Sequence, residues 1–171
     1  MEFEEAARRH QGRVYTFAHY FLGNREEAED VTQEVLLRLW RHGLELADEA
    51  VRPWLLRVTR NACYDLLRRR RLPVNSPAGL DTLPAETAGA EPDPESRAAA
   101  AALGRRLRAE LDRLEEPYKS VLILREIQEL QYQEISDALE IPLNTVRVYI
   151  HRGRRRLREQ LKEVVGDAAL R

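Results

Sequence analysis

The chain has 171 residues, enough for one medium domain or two small ones, and its formal net charge is −1, so any grip on nucleic acid must come from segregated charge. A single cysteine, Cys63, excludes an intramolecular disulfide and any cysteine-based metal cluster. No apolar run reaches the length of a membrane span, and the N-terminus MEFEEAARRH lacks the apolar heart of a signal peptide, so a soluble, cytoplasmic protein is expected.

Few aromatics among many Leu, Arg, Glu and Ala residues favour helix over strand. Phe3, Ala7, His10, Val14, Phe17 and Phe21 follow helical spacing, and Gly23 stops that helix. Asn24 with Glu27 three residues on resembles a capping box that opens a second helix. Its apolar side is Val31, Val35, Leu36, Leu39 and Trp40; its other side carries Glu26, Asp30, Gln33, Glu34 and Arg38. Residues 43–52 form a connector, and Pro53 suits the first turn of a third helix, where its missing N–H costs nothing. That helix runs to about Arg71, with Trp54, Leu55, Val58, Ala62, Leu66 and Leu67 inward and Arg57, Arg60, Asn61 and Asp65 elsewhere. Arg68 to Arg71 complement the dipole at its C-terminus, and the whole helix is basic enough to be a nucleic-acid surface.

Composition changes over residues 72–97, where scattered Pro and Gly and five acids against one base predict a flexible acidic linker. Twenty-six residues span roughly 85–95 Å when extended but average about 25–30 Å as a coil. A fourth helix is predicted from about Ala98 to Leu114, with Leu103, Leu107, Leu111 and Leu114 in register, and Glu116-Pro117 breaks it. Pro117 opens a fifth segment whose Val121, Leu122, Leu124 and Ile127 can cover the last two helices of the chain.

Tyr132 to Leu161 reads as two amphipathic helices around a Pro-Leu-Asn break, with Asn144 as the N-cap of the second. This is a helix-turn-helix pattern, whose second helix enters the major groove. Val146, Ile150, Leu157 and Leu161 fall on its inner stripe, with Gly153 permitting close approach. Arg147, Val148, His151, Arg152, Arg154, Arg155 and Arg158 are left outside. Arginines early in such a helix can pair with guanine edges; later ones hold phosphates. The fold class is thus all-α: a three-helix domain (1–71), a linker (72–97) and a helix-turn-helix domain (98–171). Catalytic constellations are lacking, no metal or cofactor is expected, and His10, His19, His42 and His151 have no metal-ligand spacing.

Three segments in this order resemble bacterial sigma factors of the extracytoplasmic-function (ECF) class. AEDVTQEVLLRLWR resembles the core-binding helix of region 2, and RPWLLRVTRNACYDLLRRRR the promoter-melting, −10-reading helix. LEEPYKSVLILREIQELQYQEISDALEIPLNTVRVYIHRGRRRLRE resembles region 4, which reads the −35 element. The resemblance implies that Asp30, Gln33, Glu34 and Arg38 contact core RNA polymerase. It implies that Asn61 captures a base flipped from the non-template strand, with Arg57, Arg60 and Asp65 nearby and residues 43–52 walling the pocket. It places Arg147, Val148, His151 and Arg152 over −35 bases, with Thr145 and Arg154 near phosphates and Tyr149 where a cation is usual. Val148 could touch a thymine methyl. Glu129 replaces a frequent glycine and Gln131 a frequent serine N-cap. Implied partners are core RNA polymerase and promoter DNA, duplex at −35 and single-stranded at −10, with no membrane insertion. Many members are held by an anti-sigma factor, so such a partner is a candidate. The alternative reading is a free-standing helix-turn-helix regulator, which leaves the Asp30 face and the Asn61 helix without a role.

Overall fold

A computed structural model describes residues 3–42, 46–70 and 94–169. These residues form seven α-helices and one π-helical turn, and no strand occurs among them. The linker expected over 72–97 lies outside the described residues except for its last four positions, which are already helical.

Helix α1 (Phe3–Leu22) ends at Gly23, whose φ of +76° suits the one residue without a Cβ. Helix α2 (Arg25–His42) begins with half of the expected capping box: the Glu27 N–H donates to Asn24 Oδ1 at 3.0 Å. The Glu27 carboxylate turns instead to Arg70, which fixes the far end of α3 (Asp48–Arg70) against the start of α2. Helix α3 starts about five residues earlier than expected, so Pro53 sits inside it and removes the donor that would have reached the Glu49 carbonyl. The three helices pack around Val14, Phe17, Phe21, Val31, Val35, Leu39, Val51 and Leu55, all at most 2% exposed. Each such side chain contributes about 1.5–3 kcal/mol over its exposed state. Inward positions on α3 also include Leu56, Thr59 and Cys63, whereas Trp54, Val58, Leu66 and Leu67 are only partly buried. Thr59 is accommodated because its hydroxyl donates to the Leu55 carbonyl at 2.6 Å.

The second unit begins with α4 (Pro94–Asp112), four residues earlier than expected. Leu111 and Leu114 are buried, but Leu103 is 69% exposed, so the predicted leucine register holds only toward the C-terminal end. Helix α5 (Tyr118–Leu122) passes into the π-helical turn Ile123–Ile127. The chain leaves that turn through Glu129, a non-glycine at φ +56°, which accounts for the glycine expected there. Helix α6 (Tyr132–Leu139) is N-capped by Gln131, whose N–H donates to Glu134 Oε2 at 2.7 Å. Val121, Leu122, Ile123, Leu124, Ile135 and Ile150 form the centre of this unit, and one apolar cluster continues through both units.

Candidate nucleic-acid interface

The turn of the helix-turn-helix is Glu140-Ile141-Pro142. Glu140 takes the left-handed conformation (φ 54°, ψ 44°), the Ile141 N–H returns to the Ser136 carbonyl at 3.2 Å, and Ser136 Oγ donates to the Ile141 carbonyl at 2.6 Å. Helix α7 (Leu143–Ala169) therefore starts one residue before Asn144. Asn144 is not its N-cap; it lies in the first turn, where Oδ1 accepts from Arg147 Nη1 at 3.0 Å.

Val146, Ile150 and Gly153 seat α7 on the unit's core. A Cβ on Gly153 would meet Leu122 Cγ at 3.2 Å and Tyr118 Cβ at 3.4 Å, so the close approach read from the sequence is present. On the opposite face Arg147, Val148, His151, Arg152, Arg154, Arg155 and Arg158 are all exposed. Thr145 is half-buried at the edge of this face. Tyr149 departs from the expected reading surface: it is half-buried, its ring edge-on to Tyr118 at 5.8 Å, because position 149 falls on the flank nearer the core stripe. Arg154 is held by Glu126 at 2.7 Å, a hydrogen bond that raises its already high pKa. Arg156 stacks on Tyr118 and pairs with Glu115 at 3.0 Å, which fixes the rim of α7 rather than its reading face. Arg152 and Arg158 have no carboxylate partner among the described residues.

Helix α3 presents a second basic row. Asn61 is exposed, with Tyr64, 48% exposed, one turn on, and Asp65 is half-buried and 3.8 Å from Arg68. Arg57 and Arg60 are only about a third exposed, because each faces a carboxylate of the second unit: Glu140 for Arg57, and Glu116, at 3.3 Å, for Arg60. The residues expected to wall a base pocket divide: 43–45 lie outside the described residues, and 48–52 belong to α3 itself.

Helix α2 presents a third surface. Asp30, Gln33 and Glu34 are exposed and Arg38 is half-buried, paired with Glu34 one turn before it. Trp40, expected in the core, is 57% exposed, and Leu37 is 52% exposed beside it. The face is therefore mixed, two large apolar side chains among acids, which is the make-up of a protein-binding patch more than of a solvated helix. Leu37 is detectable in the sequence as an apolar residue off the Val31–Val35–Leu39 stripe; Trp40, one residue past Leu39, is not.

Among the described residues no helix is long and apolar enough to cross a membrane. The family model for Sigma-70 region 2 matches residues 6–72, and that for Sigma-70, region 4 matches residues 104–157. The chain is 37% identical over 169 residues to the ECF RNA polymerase sigma factor SigE of Mycolicibacterium smegmatis, covering 98% of this chain but only 64% of that relative's length. It is 30% identical to the RNA polymerase sigma factor CarQ of Myxococcus xanthus, over 98% of this chain and 93% of CarQ. Among solved structures its fold is similar to that of the sigma factor RpoE from Bartonella quintana, in complex with the anti-sigma factor NepR: TM-score 0.72, 19% identity, 94% of this chain and 96% of that one. CnrH in complex with the cytosolic domain of CnrY gives a TM-score of 0.69 at 23% identity, over 94% and 88% of the two chains. With region 2 matched on the first unit, region 4 on the second, and relatives aligned along nearly the whole of it, this chain belongs to the ECF class of RNA polymerase sigma factors.

Proposed function

We propose that the protein is an alternative sigma factor that brings core RNA polymerase to particular promoters and assists DNA opening, without chemistry of its own. It acts in the cytoplasm, where polymerase and promoter are. The observation that carries this reading is the disposition of α7: apolar residues and Gly153 seat one side, and Arg147, Val148, His151 and Arg152 stand bare on the other. A helix so mounted can enter the major groove and pair guanidinium groups with guanine edges. The chain divides accordingly: region 2 function in 1–71, a tether that ends before Pro94, and −35 recognition in the unit that α4 opens.

The α2 face, with Asp30, Gln33, Glu34, Leu37 and Trp40, is assigned to the polymerase core. Exposed apolar area supplies the affinity, and the acids steer the approach to a basic partner. Asn61 is assigned to capture of an unstacked non-template base, because an amide both donates and accepts and so can read a base edge once it has left the stack. Arg57, Arg60 and Asp65 flank it as strand and base contacts. An anti-sigma factor, as named in complex with the similar RpoE structure, is a candidate partner here.

The test is transcription and binding with purified core enzyme. Asn61→Ala should impair open-complex formation on a duplex promoter while leaving −35 duplex binding intact; equal loss in both would argue against base capture. Asp30→Ala should weaken core binding with the helical circular-dichroism signal unchanged. A chain that binds one duplex site tightly as a dimer, with no gain from core enzyme, would instead be a free-standing regulator.

A further inference from the structure

The first turn of α7 carries a contact that helix stability does not account for. Asn144 Oδ1 accepts from Arg147 Nη1 at 3.0 Å, and both residues are exposed. Asparagine is a poor helix former that is favoured at N-caps. Here α7 begins one residue earlier, and among the described residues the Asn144 side chain bonds to Arg147 alone. An exposed polar pair three residues apart adds little to a helix. Arg147 reaches this partner because helical side chains lean toward the N-terminus, so its stem runs back over residue 144. Asn144, Arg147, Val148 and His151 then share one exposed stripe, at i, i+3, i+4 and i+7, toward the end of α7 that such helices present to base edges.

We propose that Asn144 is a positioning residue for Arg147: its amide oxygen fixes the guanidinium before DNA arrives, and so sharpens the preference of Arg147 for one base of the −35 element. The proposal rests on reading α7 as the −35 helix. A guanidinium carries its N–H donors in a rigid fork. One goes to Asn144 and the others remain for the O6 and N7 acceptors of a guanine. Meeting two acceptors with one fork demands a fixed plane, and a long side chain that is free beforehand loses that freedom on binding. Asn144 takes up part of that loss in the unbound protein.

The chemistry of the partner matters as much as its place. Arg154, Arg155 and Arg156, further along α7, are held by carboxylates: Glu126 at 2.7 Å, Glu159 at 3.2 Å and Glu115 at 3.0 Å. A carboxylate orients a guanidinium but also offsets its charge, and must be given up before a phosphate or base can take its place. An amide oxygen orients without offsetting, so Arg147 keeps its full charge for DNA. With Oδ1 engaged, Asn144 has only its Nδ2 donors left, and these sit beside phosphate oxygens or acceptor edges without repulsion. Val148, the next residue, offers only methyl groups, and Tyr149 turns its ring to Tyr118. Among the described residues the orientation of Arg147 therefore falls to Asn144 alone.

The test uses holoenzyme assembled from core enzyme and the full chain. Wild-type holoenzyme selects its −35 element from duplex promoters randomised over that region, and competition binding to single-base variants then gives the preference at each position. Arg147→Ala should abolish preference at one position. Asn144→Ala should lower preference at that same position on the order of five-fold, with the other positions and the salt dependence as in wild type. With Arg147→Ala already in place, Asn144→Ala should change nothing further. Asn144→Asp should weaken binding to every sequence alike, because its charge offsets that of Arg147 and repels phosphates. A helix-stabilising role would shift no single base preference. Unchanged preference in Asn144→Ala overturns the proposal. So does an equal loss from Asn144→Ala in the Arg147→Ala background, which would make Asn144 a base contact in its own right. If Arg147→Ala leaves every preference intact, Arg147 reads no base and the positioning role falls with it; Arg152→Ala in the same assay then shows whether α7 reads the element at all.

Discussion

Helices α3 and α7 are both rich in arginine, but their cations face different things. On α3, Arg52, Arg57, Arg60 and Arg70 each meet a carboxylate from another element: Glu134, Glu140, Glu116 and Glu27. On α7, Arg154 and Arg156 are likewise met, by Glu126 and Glu115, but Arg152 and Arg158 meet none among the described residues, and Arg147 is held only by the Asn144 side chain. The chain has 28 basic and 29 acidic residues, so most cations could find an acid, and the fold decides which ones do. Arginine count along a helix is thus a poor measure of the positive potential it offers to DNA; what matters is which acids the tertiary packing delivers to it.

The largest effect is expected where α7 meets its seat. Gly153→Leu drives a branched side chain into Leu122 and Tyr118, already at van der Waals limits from a bare Cβ. The cost should be about 3 kcal/mol, the upper end for overpacking, confined to the second unit. Trp40 and Trp54 are the two tryptophans of the chain and both lie in the first unit. Urea denaturation followed by tryptophan fluorescence should therefore keep its midpoint, while far-ultraviolet circular dichroism loses part of its signal earlier. Coincident transitions would mean that the units unfold as one block and that α3 and α7 cannot be treated as separately mounted.

A smaller effect separates free from tethered cations on α7 itself. Arg152→Ala should cost about 1–3 kcal/mol in −35 duplex binding if it reads a base, with relaxed preference at one position. Arg154→Ala should cost less, because Glu126 already holds that guanidinium at 2.7 Å and its release from DNA is partly compensated. Competition binding with a set of single-base variants of the −35 site distinguishes them. A uniform loss for Arg152→Ala across all sequences would make it a phosphate contact.

Much of the fold is legible in the sequence because helical periodicity is local. The stripe from Val14 to Phe21, the stop at Gly23 and the inward Val146–Ile150–Gly153 line all come from spacing of 3.6 residues per turn. The glycine expected at 129 and the serine expected at 131 point to a left-handed residue and an N-cap, and those conformations are present despite Glu and Gln. Element ends are less legible. Pro53 reads as a start signal, yet a helix can carry proline one turn in when the i−4 carbonyl is near its frayed end. Asn144 reads as a cap, yet Pro142 can open the helix earlier. Trp40 reads as core but is exposed, because hydrophobicity alone does not say whether a side chain faces a core or a partner. The pairing of Arg57 with Glu140, 83 residues apart, has no sequence signature at all.

The smallest effect concerns the paired edge of α3 and its dependence on pH. His10 is buried beside the inter-unit cleft, and its pKa lies below 6.5 chiefly because burial disfavours the imidazolium, with Arg9, Arg13 and Arg52 adding to the shift and Asp48 opposing it. Above about pH 6.5 neither the folded nor the unfolded chain protonates this group appreciably, so it is silent there. As pH falls through that value the unfolded chain binds a proton that the folded chain refuses, and stability declines until the folded pKa is reached. Between pH 7.5 and 5.5 this one residue should therefore make the folded chain less stable, the loss falling on the acid side of pH 6.5. Denaturation in urea at the two pH values should show it for the wild type and a flatter dependence for His10→Gln. An equal slope in both proteins would mean that the buried imidazole beside the cleft does not carry the acid sensitivity, and that its burial at the α3 edge costs the folded chain nothing as pH falls.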